Sequence, residues 1–301
     1  VIGGAIIPTG GTIEHRLKEQ VIPQEDVYRH VSIAAPYLGL YEDLSLRQTI
    51  DFHARFKPLR EGISLAAVAR IAYLEQALEK PVLHFSSGMK QRLKLALAIL
   101  SDTPLLLLDE PLSALDKKMR EHMQVELIKL QRQVGITFIY ITHDQEAALQ
   151  LCDKIVILEP DGSIAQIGSD EEIIRNPANR FVFQFIGVSN FIPVVVEDGK
   201  VFFDLEKKIL FKSLIHEKMP GPKAMLGIRP MDIVFDDDSP VRATVAQSVF
   251  LGNMYNYFVR LPGMEIRVQQ MVISENAKSY SEEQEVGLAF LEERYFERED
   301  A

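Results

Sequence analysis

The spacing of apolar residues along the chain changes character near residue 190. Before that point, short apolar runs alternate with stretches in which apolar residues recur every three or four positions. Four consecutive leucines at residues 105–108 predict a strand buried on both faces, as in a parallel sheet covered by helices. Residues 137–141 predict another strand, and Met123, Leu127 and Leu130 mark the apolar face of the helix between the two. This alternation predicts an α/β domain.

The same periodicity places further elements around these strands. A helix that ends at Leu100 follows Ser86 and Ser87, either of which can cap it. The other predicted elements of this part are helices over residues 44–56, 65–78 and 145–151 and strands over residues 31–35 and 155–158.

The pattern after residue 190 has a period of two, with turn residues between short runs. It predicts an all-β module, a small barrel. We therefore expect two domains, residues 1–190 and residues 191–301. The strands of the second domain are expected at residues 194–196, 201–204, 209–212, 226–228, 242–249, 255–261, 266–269 and 287–291.

Composition narrows the class of protein. The chain has 301 residues, 47% of them hydrophobic and 25% charged, and its net charge of −10 argues against a nucleic-acid partner, which needs a basic face. No apolar run approaches the roughly 20 residues that span a bilayer. The single cysteine, Cys152, excludes an internal disulfide and lies in an apolar stretch, so we expect a small core residue.

Three side chains with chemical potential follow the two predicted strands. Asp109 and Glu110 come directly after the leucine strand, and His143 comes just after the second one. Because parallel strands deliver their carboxyl ends to one edge, where α/β proteins bind ligands, we expect these side chains to converge. Such a set offers a carboxylate for a metal, a general base and a histidine. The alternative is that Asp109 and Glu110 only cap the following helix.

The motifs around these residues favour the first interpretation. Asp-Glu-Pro at residues 109–111, Ser-Ala-Leu-Asp at residues 113–116 and Thr-His-Asp at residues 142–144 resemble motifs of the nucleotide-binding subunits of ATP-binding-cassette (ABC) transporters. The resemblance implies a P-loop NTPase-like ABC ATPase domain with a helical subdomain, and ATP and Mg²⁺ as its cofactors.

The resemblance also implies roles for individual residues. Asp109 would hold Mg²⁺ through water, Glu110 would orient and polarise the attacking water, and His143 would contact the γ-phosphate. A second group would bind the nucleotide of a second subunit: Ser86, Ser87, Gly88, Met89 and Asp116. The first four stand where the family's Leu-Ser-Gly-Gly-Gln signature belongs, with Ser87 in place of a glycine and Met89 in place of the glutamine, and Asp116 ends the stretch that matches the family's D-loop.

The tail carries a resemblance of its own. Gly-Ile-Arg-Pro-Met-Asp at residues 227–232 is similar to a segment of the OB-like tail barrel, called TOBE, of importer ATPases. This implies an ATPase that powers solute import, with polyamines (spermidine and putrescine) as the first substrate class. The implied partners are transmembrane permease subunits and a second ATPase subunit in a head-to-tail dimer. The implied location is the cytoplasmic face of the membrane, where the subunit is peripheral.

Two departures from the family pattern stand out. The 301 residues contain no Gly-x-x-x-x-Gly-Lys-Ser/Thr loop (Walker A) to cradle phosphates. Residues 1–13 resemble the end of the helix that follows that loop, so we expect an ATPase domain that is incomplete at its N-terminus and inactive alone. In addition, Pro36 stands where the family places the glutamine of the Q-loop.

Two other functions stay open on these residues. One is a non-transport ABC ATPase, although such proteins usually carry tandem cassettes or a coiled-coil insertion, and this sequence has neither. The other is a truncated, non-hydrolysing interaction subunit with the ABC fold. The sequence upstream of Val1 distinguishes the second of these from an active importer subunit.

Overall fold

The structure is a computed structural model that describes residues 11–206, 208–212, 219–272 and 279–298. The expected end of a helix within residues 1–10 lies outside the described residues. The chain separates into two compact units, Val1–Cys152 and Asp153–Ala301. Within the residues that the structure describes, no helix is both long enough and apolar enough to cross a membrane.

The described part of the first unit, residues 11–152, forms five strands and six α-helices. Its strands are β1 (His15–Leu17), β2 (Gln20–Ile22), β3 (Val31–Ala34), β4 (Leu105–Asp109) and β5 (Thr137–Ile141). Its helices are α1 (Val27–His30), α2 (Leu46–Phe56), α3 (Leu65–Ile71), α4 (Ser87–Leu100), α5 (Lys117–Val134) and α6 (Gln145–Leu151).

A three-stranded parallel sheet in the order β3-β4-β5 forms the centre of this unit. Side chains alternate between the faces of a strand, and both faces of β4 are covered. Leu106 and Leu108 are fully buried in a large cluster with residues of α4, whereas Leu107 packs with Val27 and Val31 in a second cluster. The prediction of a strand buried on both faces is confirmed.

The predicted helices of this unit are present, and one of them is much shorter than predicted. Residues 65–78 do not form one helix, because α3 ends at Ile71 and a separate 3₁₀ turn follows at Glu75–Ala77. Tyr73 between them has a φ of +55°, in the left-handed region that a helix cannot include.

The second unit begins with a hairpin and two short helices. They are β6 (Ile155–Leu158), β7 (Ile164–Gly168), α7 (Asp170–Arg175) and α8 (Arg180–Phe185). Ten strands follow among the described residues of this unit: β8 (Asn190–Glu197), β9 (Lys200–Phe203), β10 (Ile209–Lys212), β11 (Lys223–Ile228), β12 (Ile233–Phe235), β13 (Arg242–Phe250), β14 (Met254–Leu261), β15 (Met264–Met271), β16 (Glu285–Phe290) and β17 (Arg294–Glu297).

These ten strands form two antiparallel five-stranded sheets, in the orders β10-β9-β8-β11-β17 and β12-β16-β13-β14-β15. The two sheets share one apolar core, in which Ile192 and Phe203 of the first lie with Val245, Tyr257 and Val259 of the second. The all-β module is confirmed. The sequence pattern did not predict β12 and β17, which are three and four residues long.

Candidate functional site

Asp109 and Glu110 lie where β4 leaves the sheet. Asp109 is the last residue of the strand and pairs in register with Ile141, the last residue of β5. Glu110 then adopts a φ of +44°, in the left-handed region, and its backbone N–H donates to the Ile141 carbonyl oxygen at 2.9 Å. This turn places the Glu110 side chain level with the residues that follow β5.

Those residues hold the Glu110 carboxylate. Glu110 Oε1 accepts hydrogen bonds from the backbone N–H of His143 at 2.8 Å and from His143 Nδ1 at 2.5 Å. Glu110 Oε2 accepts one from the Thr142 hydroxyl at 3.2 Å. The predicted convergence of the carboxylates and the histidine at one sheet edge is therefore present in the geometry, and Thr142 joins the set.

The bond between Glu110 and His143 defines where the imidazole carries its proton. A carboxylate only accepts hydrogen bonds, so His143 Nδ1 must be protonated, and Nε2 of a neutral ring is then an acceptor. The His143 side chain is 85% exposed and that of Glu110 is 26% exposed. The pair thus presents an open imidazole whose orientation is set by a partly buried carboxylate.

The Asp109 carboxylate has a neighbour that the sequence did not indicate. The Tyr37 side chain is largely exposed, and its hydroxyl lies near enough to the Asp109 carboxylate to be perturbed by it. Local desolvation, and next the interaction with Asp109, raise the pKa of Tyr37 above its ordinary value. Tyr37 directly follows Pro36, so a phenol is placed beside Asp109 at the Q-loop position.

Lys94 of α4 supports the same loop. Its ammonium group donates to the backbone carbonyls of Ala35 at 3.2 Å and Pro36 at 2.7 Å. Burial lowers the pKa of Lys94, and the nearby Lys90 contributes to the same shift. Lys94 thus fixes the backbone from which Tyr37 reaches Asp109.

The second predicted group lies at the start of α4. Ser86 is the N-cap and accepts a hydrogen bond from the Met89 N–H at 3.2 Å, while Ser87 is the first helical residue. Met89 is only partly exposed and packs against the core. A Cβ on Gly88 would lie 3.4 Å from a methyl group of Leu115, so the helix start lies against the Ser-Ala-Leu-Asp loop.

The turn just before that loop is bound to α4, and the loop itself caps α5. The buried Gln91 side chain donates from Nε2 to the Pro111 carbonyl at 2.9 Å. Asp116, the last residue of the loop, caps α5 by accepting from the Met119 N–H at 2.9 Å. Asp116 is thus held at a helix start within its own chain.

The side chains available as ligands limit the kind of metal ion that this site could bind. Among the described residues, no group of three or more His, Cys, Asp and Glu side chains could hold one. Mg²⁺ keeps several waters and takes only one or two carboxylates, together with substrate phosphates. The single Asp109 carboxylate therefore fits Mg²⁺ that arrives with a nucleotide, and does not fit a resident ion held by protein alone.

Comparison with known proteins identifies the family. Residues 1–113 match the family model described as ABC transporter, and residues 226–296 match the TOBE domain. The spermidine/putrescine import ATP-binding protein PotA of Clostridium novyi is 34% identical over 283 residues, covering 91% of this chain and 80% of that protein. The chain belongs to the ATP-binding subunits of ABC importers with a TOBE domain.

Other members of the family give the same result. PotA of Borrelia garinii subsp. bavariensis is 39% identical over 245 residues, covering 77% of this chain and 67% of that protein. PotA 1 of Pseudomonas aeruginosa is 33% identical over 275 residues, covering 87% and 74%. The resemblance drawn from the motifs, the fold class and the importer type are confirmed.

Proposed function

We propose that this chain is the ATP-binding subunit that powers polyamine uptake through an ABC importer. Family membership supports the ATPase, and the relatives, which are named spermidine/putrescine import ATP-binding proteins, support the substrate class. The observation that carries the proposal is the Glu110 carboxylate, which accepts three hydrogen bonds from His143 and Thr142 beside the Asp109 carboxylate.

In this proposal each residue of the sheet edge has one task. Asp109 would hold Mg²⁺ of a bound Mg·ATP through water, and the metal would neutralise charge on the phosphates. Glu110 orients the attacking water and accepts a hydrogen bond from it, as a general base does. Thr142 and the His143 backbone prevent rotation of the Glu110 carboxylate, which keeps its geometry constant between turnovers.

His143 would act in its protonated form. With Nδ1–H directed to Glu110, a neutral ring offers only an Nε2 lone pair, which a phosphate oxygen repels. The imidazolium keeps the bond to Glu110 and gains an Nε2–H donor for the γ-phosphate.

The signature residues would serve a second ATPase subunit in a head-to-tail dimer. The exposed start of α4 presents the positive end of a 14-residue helix, which favours a phosphate group. In this role Ser86, Ser87, Gly88, Met89 and Asp116 border the partner's nucleotide. Because Met89 packs partly into the core, its backbone rather than its side chain would contact that nucleotide.

We further propose that the 301 residues do not hydrolyse ATP by themselves. They contain no glycine-rich loop with lysine, and Lys94 is committed to backbone carbonyls. A triphosphate facing Asp109 and Glu110 is repelled, since two unit charges at ~4 Å interact by about 4 kcal/mol at an effective dielectric of about 20.

The remaining parts of the proposal concern organisation. Residues 1–190 are assigned to the ABC ATPase domain and residues 191–301 to the TOBE-like β domain. The subunit would bind transmembrane permease subunits at the cytoplasmic face of the membrane, without entering the bilayer. Nucleic acid is not a partner in this proposal, in keeping with the net charge of −10.

One pair of proteins, wild type and Glu110→Gln, tests the proposal in two settings. In cells that make the protein from its natural gene, Glu110→Gln should abolish ATP-driven uptake of labelled spermidine and putrescine. Uptake of a labelled sugar in the same cells is the control and should not change. With the purified 301-residue chain, phosphate release should be equally low for both proteins.

The outcomes separate the two claims. Polyamine uptake that survives Glu110→Gln would remove the proposed role of this residue in import. Loss of sugar uptake instead of polyamine uptake would keep the ATPase and change the substrate class. Clear Glu110-dependent phosphate release from the purified chain would show that the 301 residues suffice for hydrolysis.

A further inference from the structure

Arg120 lies in the first turn of α5, and its side chain bridges two loops of the candidate site. Its Nη2 donates to the carbonyl oxygen of Leu115, in the Ser-Ala-Leu-Asp loop, at 3.3 Å. Its Nη1 lies 3.5 Å from Oδ2 of Asp144, the residue after His143. One guanidinium fork therefore joins the loop that follows Glu110 to the loop that carries His143.

Asp144 passes this connection on to the site. Its Oδ1 accepts from the Ala147 N–H at 3.0 Å and so caps α6, while its own N–H donates to the Thr142 hydroxyl at 3.0 Å. That hydroxyl in turn donates to Glu110. The side chain and the backbone of Asp144 thus fix the loop in which Thr142 and His143 hold the Glu110 carboxylate.

The position of Arg120 is not explained by stability alone. Among the described residues, its Nε is buried and makes no hydrogen bond, which destabilises the folded chain. The side chains of Arg120 and Asp144 are 37% and 29% exposed, so their ion pair is partly screened by water and contributes little. What the arginine provides is geometry, because its planar fork binds two acceptors in fixed directions.

We propose that Arg120 is a positioning residue for Glu110 and His143. Anchored to the Ser-Ala-Leu-Asp loop, it sets the orientation of the His143 ring toward Glu110. This inference rests on the proposed function, since it concerns how Glu110 and His143 are aligned for hydrolysis. A displacement of Leu115 would reach His143 through Arg120 and Asp144. Arg120 itself touches neither reacting group.

The protonation pattern of His143 is a direct readout that needs no nucleotide. In the nucleotide-free 301-residue chain with ¹⁵N-labelled histidine, measured well above the ordinary histidine pKa of about 6.5, the wild type should show Nδ1–H and bare Nε2. The His143 signals are identified by their loss in His143→Gln. Arg120→Met should lose the bias toward Nδ1–H, as Glu110→Gln should.

Three further variants make this readout specific. Arg120→Lys should restore part of the bias, because it keeps the charge opposite Asp144 and loses the second donor of the fork. Arg132→Met, which removes an exposed arginine from the last turn of the same helix, should leave the His143 signals unchanged. Asp144→Asn, which can still cap α6, should weaken the bias in the same direction as Arg120→Met.

An unchanged Nδ1–H pattern in Arg120→Met would overturn the inference and leave the proposed import function untouched. Conversely, an uptake experiment that refutes the proposed import function would not change the spectrum expected for His143. If Arg120→Met unfolds, Asp144→Asn decides. A wild-type pattern in that variant contradicts the inference, and a weakened bias with the other histidine signals unchanged supports it.

Discussion

Glu110 combines a strained backbone with a tightly held side chain. A non-glycine residue in the left-handed region is destabilised by roughly 1–2 kcal/mol. Such strain persists only where the surroundings fix it, and it concentrates at functional sites. Here the fixing contacts are the Ile141 carbonyl on the backbone and His143 and Thr142 on the carboxylate. The turn directs Glu110 toward the loop after β5.

His53 supplies a pH dependence away from the candidate site. Its Nε2 lies 2.9 Å from the hydroxyl oxygen of the buried Ser101. Because that hydroxyl donates its own proton to the Leu97 carbonyl at 2.7 Å, His53 Nε2 is the donor. Burial, and next the charge of Lys57, lower the pKa of His53 to about 4. Between about pH 6.5 and pH 4, His53 is protonated in the unfolded chain and neutral in the folded chain. The free energy of unfolding therefore falls as the pH falls. The loss is at most about 3 kcal/mol.

Urea unfolding at a series of pH values checks this prediction against His53→Gln, which keeps a donor for Ser101 and does not titrate. The wild type should lose stability more steeply than the variant between about pH 6.5 and pH 4. Because burial is the larger cause, Lys57→Met should retain most of the difference. Parallel curves for wild type and His53→Gln would show that the His53 environment does not discriminate against the charged ring.

At the residue scale, sequence patterns predict the groups with chemistry and miss those that orient them. Asp109, Glu110 and His143 follow directly from two strand ends and short motifs. Tyr37 and Arg120 do not, because no short motif marks them and each approaches the site through a long side chain. The register of the strands determines the backbone position of a residue. The position of a phenol or guanidinium at the end of a long side chain depends on tertiary packing as well.

At the scale of elements, the sequence predicts helix α4 but does not determine at which residue it starts. Ser86 and Ser87 are both good capping residues, and their order alone does not choose between them. In the structure Ser86 has an extended backbone with φ −64° and ψ 163°, and its hydroxyl accepts from the Met89 N–H. Ser87 is already helical. The helix therefore starts one residue earlier than a Ser87 cap would give.

This arrangement makes the two serines a matched pair. Ser86→Ala should lower the free energy of unfolding by about 1 kcal/mol, whereas Ser87→Ala should change it by only a few tenths. Chemical denaturation measures both effects. Amide exchange gives a second test, since the Met89 N–H should exchange faster in Ser86→Ala alone. Equal effects of the two substitutions would contradict the assignment of the cap.

Two strands of the all-β module were missed by the sequence pattern. They are β12 and β17, which are defined as strands by their pairing with β16 and β11. Gly227 in β11 shows a related limit. A Cβ at this position would lie 2.6 Å from Phe296 and 2.9 Å from Phe183, so the glycine of the tail motif reflects a close aromatic contact.

At the scale of the whole molecule, the proposed domain boundary lies within a well-held segment. Arg229 Nη1 donates to the carbonyl of Gly187 at 3.0 Å and to the hydroxyl of Ser189 at 2.6 Å. The same guanidinium lies over the Phe183 ring, 4.0 Å from its centroid. Burial lowers the pKa of Arg229 without removing its charge at neutral pH. The junction is therefore fastened to β-domain residues on its C-terminal side.

Asn190 fastens the other end of this segment. Its amide donates to the Arg267 carbonyl at 2.7 Å and accepts from the Arg267 N–H at 2.8 Å. Cleavage requires an extended, accessible backbone, so residues 187–190 must first separate from their contacts with Arg229 and Arg267. If residues 191–301 form a separable domain, the cut that releases them should be slow in the wild type.

Arg229→Gln should open this segment selectively. Hydrogen bonds to a charged group contribute about 1.5–3 kcal/mol, and cleavage that follows the open population rises tenfold for each ~1.4 kcal/mol lost. Limited thermolysis with mass spectrometry should therefore show cleavage at residues 187–191 at least about tenfold faster than in the wild type, with Arg229→Lys in between. Arg294→Gln is the matched control, because it frees the Arg175 carbonyl in the same unit without touching the junction. Equal acceleration at this junction in Arg294→Gln would show that the unit as a whole had loosened, and it would withdraw the role assigned to Arg229.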